Sequence, residues 1–177
     1  MTRVRIFAAT LLFAALAVSP FARLRAQESQ RDYLTTLEAD RIRDAELPAL
    51  RIKLFIEFAV DRLKKFHYEL ARPSSERMRS ERLNSLLNAY TGCVDDAAEL
   101  IDLGREQQSD IRAGIKEMQK RAKEFLPQLE KLAAGGTDLP LYKETLEDAI
   151  EATKQAQADA EKASKELAPA PVRRKPS

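Results

Sequence analysis

The chain has 177 residues, which is the size of one domain. Charged residues make up 33% of it, Trp is absent and there are 5 Gly, a composition typical of helical or coiled-coil proteins. Beyond residue 26 the chain carries 26 basic and 28 acidic side chains. Such a mildly acidic body is not expected to bind nucleic acid, because that binding depends on clustered Lys and Arg.

The first 26 residues have the pattern of a cleavable secretory signal peptide. Arg3 and Arg5 form a positively charged start, and an apolar run follows over residues 6–18. We expect cleavage after Ala26, or alternatively after Ala22, and hence a periplasmic or secreted protein. An uncleaved membrane anchor is less favoured, because the apolar stretch is shorter than the roughly 20 residues that a spanning helix needs.

A first helix is predicted over residues 32–71. Apolar side chains recur there at alternating spacings of three and four, which is the pattern of a heptad seam. Because Pro48 lacks a backbone donor, we expect either a kink near Asp44 or a helix that restarts at Pro48. The seam consists of Ile42, Ala45, Ala49, Ile52, Ile56, Ala59, Leu63, Phe66 and Leu70.

A second helix is predicted after a break in which Ser74 or Ser75 is the expected N-cap. The apolar seam that follows keeps its phase throughout and weakens only at Gly104 and Gln108. Unbroken phase favours one continuous helix over residues 75–133. The alternative is a turn at the weak point of the seam.

A connection over residues 134–140, with two glycines and a proline, precedes the last predicted helix over 140–167. Alanine dominates the seam of this helix, so the helix buries little apolar area and allows another helix to approach closely. We therefore expect a weakly held helix with a partner-facing seam formed by Ala149, Ala156, Ala160 and Ala163. Residues 169–177 are expected to form a disordered, Pro-rich basic tail.

Together these elements predict an all-α fold, with a single helical domain over residues 27–168. The favoured architecture is an elongated antiparallel helical bundle, or coiled-coil-like rod. The alternative is a compact four-helix bundle with helices over 48–71, 75–104, 109–133 and 140–167.

The chain contains no motif that indicates catalysis or metal binding. His67 is the only histidine and Cys93 the only cysteine, which excludes a paired Glu-x-x-His di-iron site, covalent c-type haem and an intramolecular disulfide. Candidate axial ligands for a b-type haem are His67 with Met78 or Met118. We expect no cofactor, no metal ion and no enzymatic activity.

The sequence thus favours an exported, non-enzymatic helical protein that acts by helix-mediated protein contacts, as an adaptor, chaperone-like or structural protein. Its expected partner is another protein or a second copy of itself, and no stable membrane anchor is expected after cleavage. The alternative is a ligand- or haem-binding bundle of the cell envelope, with an apolar molecule held around Phe55, Phe58 and His67.

Overall fold

The computed structural model describes residues 33–72 and 76–167, and for residues 76 and 77 only the backbone. The predicted signal peptide, the N-cap serines and the basic tail lie outside these ranges. Within the described ranges the secondary structure is helical, without strands, and the all-α prediction is confirmed. The helices are α1 (Thr36–Asp44), α2 (Pro48–Ala71), α3 (Glu76–Glu106), α4 (Arg112–Ala133) and α5 (Lys143–Glu166), with a 3-10 turn at Leu139–Leu141.

Helices α2 to α5 form a bundle whose four sides are the pairs α2/α3, α3/α5, α5/α4 and α4/α2. Gly114 packs on Ile52 near the starts of α4 and α2, so these two helices run parallel. Near the ends of α3 and α5, Arg105 donates to Glu166 at 2.8 Å, and near their starts Ser80 donates to the carbonyl of Leu141 at 2.9 Å, so α3 and α5 also run parallel. The consecutive pairs α2/α3 and α4/α5 are antiparallel across short connections. The predicted helical bundle is therefore confirmed.

The predicted continuous helix over residues 75–133 is wrong, because α3 ends at Glu106. Gln108 has a φ of 52°, the left-handed conformation that terminates helices. The backbone N–H of Ser109 donates to the carbonyl of Gly104 at 2.8 Å, and that of Gln108 donates to Arg105 at 3.2 Å. This pair of hydrogen bonds is a Schellman motif. The four-helix alternative is confirmed.

Gly104 also explains why the turn is tight. A Cβ atom at this position would lie 2.6 Å from Cγ2 of Ile111, so only glycine lets the fully buried Ile111 fold back against α3. Ile111 starts the apolar seam of α4, which happens to continue the phase of the seam of α3. The unbroken heptad phase was therefore not a sign of one continuous helix.

The predicted helix over residues 32–71 divides in two, and the alternative of a restart at Pro48 is confirmed. Proline occupies the first position of α2, where no backbone N–H is required for helical hydrogen bonding. The short helix α1 folds back along α2 instead of extending it. Arg41 on α1 accordingly donates to both carboxylate oxygens of Glu57 on α2, at 3.1 and 3.2 Å.

A buried arginine holds α1 in this position. Arg62 is 5% exposed and donates to the carboxylate of Glu38 at 2.6 Å and to the carbonyl of Tyr33 at 3.1 Å. The Tyr33 hydroxyl donates to the carbonyl of Gly92 at 3.0 Å and also to the carboxylate of Asp96. A Cβ atom at position 92 would lie 2.7 Å from the Tyr33 ring, so glycine is required for this approach. These contacts join α1 to both α2 and α3.

Glu38 has two roles in this arrangement. Its carboxylate accepts from the backbone N–H of Thr35, at the start of α1, in a capping box, and it also pairs with Arg62. Burial raises the pKa of Glu38, but the hydrogen bonds from Arg62 and Thr35 outweigh burial and lower the pKa to about 2. The carboxylate is therefore charged at neutral pH, and the buried charge of Arg62 is compensated.

Candidate functional site

The structure separates the residues that were candidates for haem ligation. His67 is exposed, Met78 is 49% exposed and Met118 is 1% exposed within the core. Among the described residues, those that line the cleft containing His67 include neither methionine. Phe55 and Phe58 are buried in the core. A haem bound between His67 and either methionine therefore has no support in this arrangement.

The four alanines predicted to face a partner lie in the interior of the bundle. Ala149, Ala156, Ala160 and Ala163 are each at most 1% exposed, on the side of α5 that packs against α3 and α4. The seam predicted to face a partner therefore faces α3 and α4 of the same chain. Small side chains are needed here because α5 is enclosed by two neighbouring helices. The weaker hold of α5 on the bundle stays a prediction.

An open cleft lies at the end of the bundle where α2 and α4 finish, and we call it the His67 cleft. Its volume is about 440 Å³, within the range usual for ligand-binding pockets. It is lined by His67, Leu70, Gln128, Lys131, Leu132, Gly135, Gly136, Thr137, Asp138 and Tyr142.

The connection between α4 and α5 shapes one wall of this cleft. Gly135 and Gly136 have φ values of 139° and 149°, which L side chains rarely adopt, and a Cβ atom at either position would meet nothing within 4 Å. The two glycines therefore turn the chain sharply and keep the rim of the cleft open. The 3-10 turn that follows places Tyr142 at the floor of the cleft. There its ring packs edge-on against the ring of Phe66, with the two centroids 5.2 Å apart.

Arg79 fixes this wall to the rest of the bundle. It is 9% exposed and donates to Asp138 at 2.6 Å, as well as to the carbonyls of Leu70 and Arg72 at the end of α2. One side chain thus caps the C-terminus of α2 and holds the α4–α5 connection beside it. The charge of Asp138, a lining residue, is neutralised by the same contact.

Tyr142 contributes a hydroxyl to the cleft. The residue as a whole is 3% exposed, and its hydroxyl makes no hydrogen bond to any group within the described ranges. Burial raises the pKa of Tyr142, and the nearby carboxylate of Asp138 raises it further. The hydroxyl is therefore protonated at neutral pH and available to donate a hydrogen bond.

Of the ten lining residues, only His67 was a candidate from the sequence. Lys131 lies within the helix predicted over residues 75–133, Asp138 within the predicted connection over 134–140, and Tyr142 within the helix predicted over 140–167. The two consecutive glycines were a usable signal, because they marked a place where the chain turns without covering its surroundings. The partner of Asp138, Arg79, lies 59 positions away in the sequence and could not be found by local pattern.

Cys93 has no part in this site. It is a free thiol, 0% exposed on α3, and burial raises its pKa to about 12. A thiol in this state is unreactive, because the thiolate is the reactive form. Elsewhere in the described ranges, no group of three or more His, Cys, Asp or Glu side chains is arranged to hold a metal ion.

The fold and the site define an all-α four-helix bundle with an open cleft at one end. None of the helices that the structure describes is both long and apolar enough to cross a membrane. Comparison of the chain with known protein families, with curated proteins and with solved structures finds no match. A function for the chain must therefore be argued from the cleft and its surroundings.

Proposed function

We propose that the chain is an exported, non-enzymatic helical protein that acts by contacts with a protein partner, as an adaptor, chaperone-like or structural protein. Export rests on the charged and apolar pattern of residues 1–26. The contact surface is the end of the bundle that carries the His67 cleft. The observation that supports this choice is the cleft, which lies at the same end as two exposed apolar side chains.

These two side chains are Tyr68 and Met78. Tyr68 follows His67 on α2 and is 66% exposed, and Met78 is 49% exposed in the first turn of α3, which begins at the same end. Tyrosine and methionine are enriched at protein interfaces, since each adds large apolar area, and methionine adapts to irregular surfaces. The open cleft at the same end offers polar groups that orient a partner.

A second candidate function is the binding of a small molecule by the bundle. The volume of the cleft, about 440 Å³, favours it, because pockets of this size enclose drug-sized ligands. The occupant in this case lies at the end of the bundle instead of among Phe55 and Phe58, which are already packed in the core.

Photo-crosslinking tests the protein-contact proposal. A photoreactive amino acid replaces Tyr68 in the full precursor, which is expressed in its native host and irradiated in living cells. We expect one discrete adduct, either two copies of the chain or the chain with one other protein. The intact mass of the uncrosslinked chain checks in the same sample that residues 1–26 have been removed.

The matched control carries the same photoreactive group at Leu103. This side chain is also large, apolar and 45% exposed, but it lies near the end of α3 at the opposite end of the bundle. Little or no adduct is expected from position 103. Equal adducts from both positions, or none from position 68, would contradict a contact surface at the His67 cleft.

A further inference from the structure

The His67 cleft combines an apolar floor with a polar rim. Leu70, Leu132 and the ring of Tyr142 supply the apolar part. Its volume of about 440 Å³ accommodates a short alkyl chain or one or two amino-acid side chains. An occupant that matches this lining has an apolar body and a polar end.

The charges at the rim favour an anionic end. Asp138 is neutralised by Arg79 at 2.6 Å, whereas Lys131 makes no ion pair with any side chain of the described residues. The ammonium group of Lys131 is therefore a full charge in the lining without a partner. The partial negative charges of about one half at the C-termini of α2 and α4 are offset by the partial positive charges at the N-termini of α3 and α5, which begin at the same end.

Several uncharged groups of the cleft can donate hydrogen bonds to an occupant. The hydroxyl of Tyr142 has no partner among the described groups. The same holds for the backbone N–H groups of Gly135, Gly136 and Thr137, which donate to no acceptor in residues 33–72 or 76–167. A carboxylate is acceptor-only and can accept several such hydrogen bonds at once.

We propose that the His67 cleft binds a carboxylate attached to an apolar group. The carboxylate lies at the rim near Lys131 and the glycine N–H groups, and the apolar group lies on Leu70, Leu132 and the Tyr142 ring. This inference rests on the proposed function, because it names the chemistry that a partner presents at this end. The same chemistry occurs at the C-terminus of a polypeptide with an apolar last residue and in a short fatty acid.

Calorimetric titration of the full mature chain tests the proposal with matched probes. Octanoate is compared with octanol and octylamine, which have the same chain length and differ in charge. An acetylated tetrapeptide ending in Leu-Leu with a free carboxylate is compared with its C-terminal amide. We expect at least one acid to bind about tenfold or more tightly than its neutral counterpart, as a charge-assisted hydrogen bond implies.

Two variants test whether the preference for the acid over its neutral counterpart arises from residues of the cleft. Lys131→Gln is expected to weaken binding of the preferred acid about tenfold and to leave binding of its neutral counterpart unchanged. Lys162→Gln is the control, since Lys162 is exposed near the other end of α5. Tyr142→Phe removes only the hydroxyl and is expected to weaken acid binding by about threefold to tenfold. Unchanged thermal unfolding of each variant confirms that the bundle is intact.

The peptide and octanoate titrations distinguish the two sources of the carboxylate, a polypeptide C-terminus and a fatty acid. Preference for the peptide acid identifies a polypeptide C-terminus, preference for octanoate identifies a small amphiphile, and either result supports the proposal. Equal binding of acids and neutral probes, no binding up to millimolar concentration, or equal effects of Lys131→Gln and Lys162→Gln would overturn it. A crosslink from position 68 without acid preference would retain the protein contact and reject only the carboxylate.

Discussion

Replacing Phe66 by alanine is expected to lower the free energy of unfolding by about 3–5 kcal/mol, the usual cost of removing a large aromatic side chain from a core. Phe66 is 0% exposed and packs edge-on against Tyr142 in the floor of the His67 cleft. The variant therefore leaves a cavity and removes the support of Tyr142. Urea denaturation of the mature chain, followed by circular dichroism, measures the change.

The adjacent surface residue provides the control for this prediction. Tyr68→Ala also removes an aromatic ring from α2, but Tyr68 is 66% exposed, so a change within about 0.5 kcal/mol is expected. A loss below about 1 kcal/mol for Phe66→Ala, or similar losses for both variants, would show that the end of the bundle is not packed as described.

Replacing Arg62 by methionine is expected to lower the free energy of unfolding by about 1–3 kcal/mol at pH 7, because it leaves the half-buried carboxylate of Glu38 without its charged partner. Arg62 is 5% exposed, and its contacts with Glu38 and the carbonyl of Tyr33 hold α1 on α2. The double variant Arg62→Met, Glu38→Gln is expected to be more stable than the single variant, since no unpaired charge remains. Urea denaturation of the wild type and both variants checks this order.

The cost of removing Arg62 is expected to depend on pH. In the folded chain the pKa of Glu38 is about 2, below its ordinary value of 4.5, so its stabilising contribution is complete above pH 4.5. It is lost as pH falls from about 4.5 to about 2. The difference in unfolding free energy between wild type and Arg62→Met should therefore shrink over this interval. A difference that stays constant between pH 6 and pH 2.5 would contradict the Arg62–Glu38 pairing.

Local patterns in the sequence were sufficient to predict that the chain is helical, which sides of the helices are apolar and some of the helix boundaries. Pro48 marked the start of α2, and the glycines at 135 and 136 marked the connection before α5. The seam residues from Ile52 to Phe66 are buried as their spacing indicated. Each of these features depends on backbone preferences or on the period of one helix, which a single segment determines by itself.

The same patterns did not decide between a continuous helix over 75–133 and a turn after α3. Heptad phase reports which side of a helix is apolar, but α3 and α4 have seams that happen to share one phase. The decisive interaction is the close packing of Ile111 on Gly104, which depends on chain reversal. Gln108 adopts a positive φ although glycine and asparagine are the usual residues there, so composition gave only a weak signal.

The orientation of α5 and the cleft depend on contacts between distant segments. The alanine seam allows close packing, and sequence alone does not reveal whether the neighbour is another protein or the rest of the bundle. Likewise, Arg79 meets Asp138, and His67 meets Lys131 in one cleft, only because α4 returns alongside α2. The residues of the cleft come from segments that are distant in the sequence, and sequence patterns could therefore not predict that they lie together.

The return of α4 to the end of the bundle where α2 finishes brings Lys131 into the same cleft as His67. Spin labels at Lys64 and Lys131, both exposed, measure it by double electron–electron resonance in the otherwise native chain, since the buried Cys93 is inaccessible to labelling. Adjacent helix axes about 8–10 Å apart predict a label distance of roughly 20–30 Å. A distance of about 70 Å, as helical rise gives for an uninterrupted helix over 75–133, would contradict both the bundle and its cleft.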